Sequence, residues 1–101
     1  MSLAEKIVNM ASSAKVKITC AESCTGGMVS AALTDIVGCS TIFEQGFVTY
    51  SNTAKTRVLG VSQATLQEYG AVSEPVAEEM AVGALAAASA DIAVSVSGIA
   101  G

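Results

Sequence analysis

The sequence predicts an α/β domain whose sheet is covered by helices on both faces, and two observations carry that expectation. Segments with helical spacing and short β-branched or apolar runs follow one another in the order αβαβααβ, and turns bearing glycine or serine separate them. At 101 residues the chain has the size of one domain, able to bury ~60–70% of the surface its unfolded form exposes.

Leu3, Ile7, Met10, Ala11 and Ala14 fall on one stripe of a first helix, with Glu5, Lys6 and Asn9 outside it. Lys15 to Cys20 then alternates as a strand does, with Val16, Ile18 and Cys20 on one side and Lys15, Lys17 and Thr19 on the other. After Ala21-Glu22-Ser23-Cys24, the pair Gly26-Gly27 opens a second helix whose apolar positions are Met28, Val29, Ala32, Leu33 and Ile36, closing near Gly38. The run GFVTY at 46–50 is the second expected strand. Asn52 and Ser62 are expected caps of two short helices, the first carrying Lys55 and Arg57. Ser73 is the expected cap of a longer helix, with Pro75 and three glutamates in its first two turns, where the helix dipole favours them. DIAVSVS at 91–97 is the third strand. The chain then stops on a glycine-containing turn without the helix that an α/β unit would place next, so a C-terminally incomplete domain is expected.

Composition removes several classes of function. Five basic residues stand against nine acidic ones, for a net charge of −4, and no basic run exists to neutralise a phosphate backbone or an anionic bilayer. Neither nucleic acid nor membrane is therefore an expected partner. Although 51% of residues are hydrophobic, charges interrupt the apolar runs before they reach the ~20 residues a membrane span needs. The N-terminus lacks the basic-then-apolar pattern of a leader, and a cytoplasmic location is expected. Cys20, Cys24 and Cys39 are odd in number and not spaced as C-x-x-C, which favours neither a disulfide framework nor a zinc knuckle. Histidine is absent altogether, which excludes Ser-His-Asp and Cys-His catalysis and the commonest transition-metal ligand. No carboxylate pair has metal-binding spacing, and no cofactor or metal is expected.

Candidate chemistry concentrates on the strand-to-helix turn at Ser23. An open α/β sheet binds ligands beyond the carboxyl ends of its strands, close to helix N-termini. Ser23 is equally suited to cap the helix, and Gly26-Gly27 fits close backbone approach to a phosphate or oxyanion without matching a phosphate-loop pattern. Cys24 offers an alternative nucleophile. Without histidine, a serine can still be activated by a lysine whose pKa is lowered by desolvation or a neighbouring cation. Lys55 suits that role, since Lys6, Lys15 and Lys17 all have solvated-face explanations, and Tyr50 lies five residues before it. A surface lysine and a half-buried packing tyrosine are the plainer readings of the same two residues. Glu22, Asp35 and Glu44 are expected to be solvated or capping.

The blocks AESCTGG at 21–27, FVTYSNTAK at 47–55, GAVSEPVAEEMA at 70–81 and SVSGIAG at 95–101 together resemble the CinA C-terminal domain family. Its stand-alone members are nicotinamide-nucleotide amidohydrolases of the PncC type. The resemblance implies a three-layer α/β/α domain with a mixed sheet, and hydrolysis of the carboxamide of nicotinamide mononucleotide to nicotinate mononucleotide and ammonia. It implies Ser23 as nucleophile, Lys55 as base and Tyr50 as their assistant. It also draws Thr25, Gly26, Gly27, Gly98 and Gly101 into the substrate pocket, with amides around Thr25 to Gly27 as expected oxyanion donors. In the family a further strand and a C-terminal helix follow the last block. A chain ending at Gly101 is therefore expected to be weakly active and to associate as a homo-oligomer. The competing function is a weakly active or non-catalytic nucleotide-binding or assembly module, which ammonia release would distinguish.

Overall fold

The structure, a computed structural model, describes residues 1–99. Helix α1 spans Leu3–Ala14 and starts in a reciprocal capping box, Ser2 accepting from the Glu5 amide while Glu5 accepts from the Ser2 amide. Strand β1 spans Ile18–Glu22, α2 Met28–Thr34, β2 Phe47–Val48, α3 Asn52–Leu59, α4 Gln63–Tyr69, α5 Glu74–Ala88 and β3 Ile92–Val96. Every element expected along the chain is present, but three helices and not the two of the order αβαβααβ lie between β2 and β3, and one short 3-10 turn, Cys39–Thr41, is added between α2 and β2.

Several boundaries differ from expectation: α2 ends at Thr34 and not near Gly38, and β2 is limited to Phe47–Val48 of the expected 46–50, while two others have a visible local reason. β1 begins at Ile18 and not at Lys15, because Lys15 adopts the left-handed conformation (φ 58°) that ends α1 and the Val16 amide returns to the Ala11 carbonyl. Ser51, not Asn52, caps α3: its backbone is extended and its hydroxyl accepts from the Ala54 amide at 3.1 Å.

The three strands lie in the order β2-β1-β3 and run parallel, with Ala21 opposite Phe47 and Ser95, and Glu22 opposite Val48 and Val96. Every residue of β1 is buried, as a central strand covered on both faces must be, so the amphipathic reading of its neighbourhood gives way to two-sided burial. Ile18 and Cys20 face Val8 and Ala11 of α1 and Leu33 of α2. Ala21 faces Leu59 of α3 and Val76, Met80 and Ala84 of α5. The result is three layers, α1 and α2 on one face and α3 to α5 on the other. Close approach of α3 and α5 depends on Gly83: a Cβ there would collide with the Leu59 carbonyl.

Among the described residues β3 is an edge strand, and Ile92 and Val94 remain about half-exposed on its α1-side face. Among the described residues no helix is long and apolar enough to cross a membrane.

Candidate active site

The carboxyl ends of the three parallel strands meet at one place. The Ser23 amide, one residue beyond β1, donates to the Val96 carbonyl at the end of β3, and the Thr49 amide, one residue beyond β2, donates to the Glu22 carbonyl. Gly98 passes so close that a Cβ on it would lie 3.2 Å from Cys24 Sγ. This is the crevice in which a parallel α/β sheet binds its ligands.

Alternation along β1 decides which groups meet there. Ala21 points toward α3 and α5, and Ser23 follows it to the same face, where Lys55 arrives from the first turn of α3. Lys55 is 1% exposed and Ser23 6% exposed. Its Nζ lies 2.8 Å from Ser23 Oγ, 2.8 Å from the Thr49 carbonyl oxygen and 3.1 Å from the Tyr50 carbonyl oxygen. The plain reading of Lys55 as a surface side chain is thereby removed. Burial pushes its pKa down from the ordinary lysine value, with a smaller opposing effect from the Cys24 side chain.

The neighbours of Nζ also dictate its geometry when neutral. The two carbonyls only accept, so they take the two hydrogens of an –NH₂ group, and the lone pair is left for the third neighbour, the Ser23 hydroxyl. The arrangement can therefore remove the serine proton.

Glu22 is the group that sequence reasoning undervalued. It is fully buried on the opposite face of β1 from Ser23, at the start of α2. One carboxylate oxygen accepts from Thr25 Oγ1 (2.6 Å), the Gly27 amide (3.2 Å) and the Val29 amide (2.9 Å). The other accepts from the amide and the hydroxyl of Ser30, at 2.9 and 2.8 Å. Burial alone would raise its pKa, but these donors together lower it to about 2. The signal in the sequence is an acid followed at five, seven and eight residues by the first amides of a helix, which reads as ordinary capping until its burial is known.

The remaining expected residues are placed as follows. Tyr50 reaches Lys55 through its backbone carbonyl, while its side chain is 63% exposed, and among the described residues its hydroxyl has no hydrogen-bond partner. The Thr25 hydroxyl is committed to Glu22. Gly26 (φ +60°) and Gly27 (φ +113°) supply the left-handed turn into α2. Their amides are not available to an oxyanion: that of Gly26 donates to the Ser23 carbonyl and that of Gly27 to Glu22. Among the described residues the amides of Cys24 and Thr25 are the ones in this turn without a partner. Gly101 lies outside the described residues. Thr49 Oγ1 is buried without a hydrogen-bond partner among the described residues, on the strand end next to Ser23. No group of three or more Cys, Asp or Glu side chains among the described residues is disposed to hold a metal ion.

Comparison with known proteins shows the family and the fold. The CinA C-terminal domain family matches residues 1–101. The chain is 67% identical over 84 residues to the nicotinamide-nucleotide amidohydrolase PncC of Enterobacter agglomerans, covering 83% of this chain and 51% of that protein. It is 56% identical over 101 residues to the PncC of Escherichia coli K12, covering all of this chain and 61% of that protein. The chain thus spans between half and two thirds of the length of these curated relatives. Among solved structures, a competence-damaged protein (CinA) superfamily protein from Escherichia coli superposes with a TM-score of 0.96 at 39% identity, over 98% of this chain and 58% of that one. The competence/damage inducible protein of Agrobacterium tumefaciens gives 0.90 at 43% identity, over 100% and 66%. A match along every residue, relatives above half identity and a superposable fold together show that this chain belongs to the CinA C-terminal domain family.

Proposed function

We propose that the chain is a cytoplasmic nicotinamide-nucleotide amidohydrolase that hydrolyses the carboxamide of nicotinamide mononucleotide with Ser23 as nucleophile and Lys55 as general base. The observation that carries the reading is the 2.8 Å contact between Lys55 Nζ and Ser23 Oγ, made by a buried amine whose other neighbours are two carbonyls. The names of the relatives supply the substrate class.

In the first step neutral Lys55 takes the hydroxyl proton as Ser23 Oγ bonds to the carboxamide carbon, and the carbonyl electron pair moves onto oxygen. The resulting ammonium then protonates the leaving nitrogen, because ammonia departs readily and an amide anion does not. Collapse of the tetrahedral adduct leaves a Ser23 ester. Water attacks that ester with Lys55 again as base, releasing nicotinate mononucleotide and the free hydroxyl. Tyr50 contributes the carbonyl that orients Nζ, and its side chain is exposed. Thr25, Gly26, Gly27 and Gly98 form the pocket wall in this proposal, the first three through the shape of the turn.

The experiment is release of ammonia from nicotinamide mononucleotide by the purified chain, compared with Ser23→Ala. Release that the substitution abolishes supports the reading. Equal release by both proteins overturns it, and binding of the nucleotide with no release by either favours a binding module. Assembly into a homo-oligomer is part of the proposal and is read by light scattering, where a monodisperse monomer removes it.

A further inference from the structure

The carboxylate of Glu22 is buried beneath a turn and receives every hydrogen bond two oxygens can comfortably accept, yet it touches neither Ser23 Oγ nor Lys55 Nζ. Its donors are strung along residues 25–30, immediately after the nucleophile. Three of the five are backbone amides, and they fall on both oxygens: Gly27 and Val29 on one, Ser30 on the other. One buried anion thus fixes the path of the whole turn, and in doing so it uses the Gly27 amide while the Gly26 amide closes onto the Ser23 carbonyl. Those two commitments single out Cys24 and Thr25, whose amides have no partner among the described residues. Preorganised amides directly following a nucleophile are the donors that a developing oxyanion requires.

We propose that Glu22 is a positioning residue for this reaction: its carboxylate holds the turn so that the Cys24 and Thr25 amides, not those of the glycines, receive the oxyanion formed when Ser23 attacks. The inference rests on the serine-nucleophile reading above. It also explains why an acid directly before the nucleophile is compatible with anionic chemistry there. Glu22 ends β1 and Ser23 follows it directly, still bonded through its amide to the end of β3, so their side chains leave on opposite faces of the sheet, and the negative charge is already satisfied by its donors.

Glu22→Gln is the informative substitution. A glutamine amide has one oxygen and one –NH₂ group, and in either orientation the –NH₂ group faces at least one backbone N–H, so the clamp must open. The probe is a pair of substrates, nicotinamide mononucleotide and its thioamide analogue, in which sulfur replaces the oxygen that becomes the anion. Sulfur accepts hydrogen bonds poorly, so an enzyme that relies on amide donors discriminates against it. Loss of one such donor costs ~10²–10³ in kcat where it has been removed elsewhere. For Glu22→Gln the expected result is a fall of about 10²-fold in kcat on the amide, KM changed by less than about threefold, and a collapse of the amide-to-thioamide rate ratio toward unity. A purely structural role would lower both substrates equally and leave the ratio intact, and that result overturns the inference. Should Glu22→Gln fail to fold by circular dichroism, Ser30→Ala decides by the same ratio, since it removes one hydroxyl donor from the clamp and leaves four. Ser23→Ala is run in parallel: if it retains activity the serine reading itself fails, whereas an inactive Ser23→Ala with an unchanged ratio in the Glu22 and Ser30 variants sinks only the role of Glu22.

Discussion

Replacing Lys55 by methionine keeps a long unbranched chain in its tunnel and removes only the amine. Three hydrogen bonds disappear, at 2.8, 2.8 and 3.1 Å. General-base assistance contributes ~10²–10⁴ in rate, and nucleophile–base pairs that act as a unit lose up to ~10⁶ when either member is removed. Ammonia release by Lys55→Met should therefore fall at least about 10²-fold at pH 7.5 in a coupled single-turnover assay. Lys55→Arg should not restore it, because a guanidinium holds its proton throughout the accessible range.

Stability gives an independent reading of the same group. The folded pKa of Lys55 is depressed by burial, so between that value and the ordinary ~10.4 the unfolded chain binds more protons than the folded one. Unfolding free energy then rises with pH across that window, by at most ~1.4 kcal/mol per pH unit from this residue. Urea unfolding of the parent chain should show this rise and Lys55→Met should lack it. The two carbonyls left unpaired cost the variant ~1–3 kcal/mol each, offset at lower pH by relief from burying an ammonium. A Lys55→Met protein within tenfold of the parent rate, or with the same stability slope, would refute the reasoning.

Three further outcomes follow from named contacts. Glu22, with a pKa lowered from 4.5 to about 2, contributes on the order of 3 kcal/mol above the unfolded value. That contribution should disappear as pH falls from about 4.5 to 2, and urea titrations should show the loss in the parent and not in Glu22→Gln. Gly83→Ala pushes a Cβ against the Leu59 carbonyl and should cost ~1–3 kcal/mol, the usual range for overpacking, read as a lower Tm; an unchanged Tm would mean that α3 and α5 separate freely. Thr49→Val deletes a buried hydroxyl that has no partner among the described residues, and should leave stability unchanged or higher in denaturant titrations. A loss above about 1 kcal/mol would show instead that the hydroxyl is paired in solution.

Much of the fold was legible because each element carries its own signal: the stripe of α1, the serine caps at Ser62 and Ser73, and the β-branched runs of β2 and β3. The start of β1 was not, since a lysine in the left-handed region looks like any other lysine until the chain reversal it makes is seen. The site divided in the same way. Missing histidine left a lysine-activated nucleophile as an open route and the resemblance to the CinA C-terminal domain family selected Ser23 and Lys55, but they are 32 positions apart, and only the parallel pairing of β1 with β2 brings them into contact. Glu22 was read as solvated or capping because a glutamate at a strand end usually is. Its burial depends on β2 and β3 flanking it and on α2 folding back over it, none of which is encoded locally.

The central claim is that Lys55 is a neutral amine poised to deprotonate Ser23. Carbon-13 labelling of lysine, with the Lys55 Cε resonance assigned from the Lys55→Met spectrum and followed from pH 6 to 12, tests it most directly. The account predicts a midpoint clearly below the ordinary lysine value of ~10.4, and coincident with the pH at which ammonia release reaches its plateau. A midpoint at or above the ordinary lysine value would contradict it.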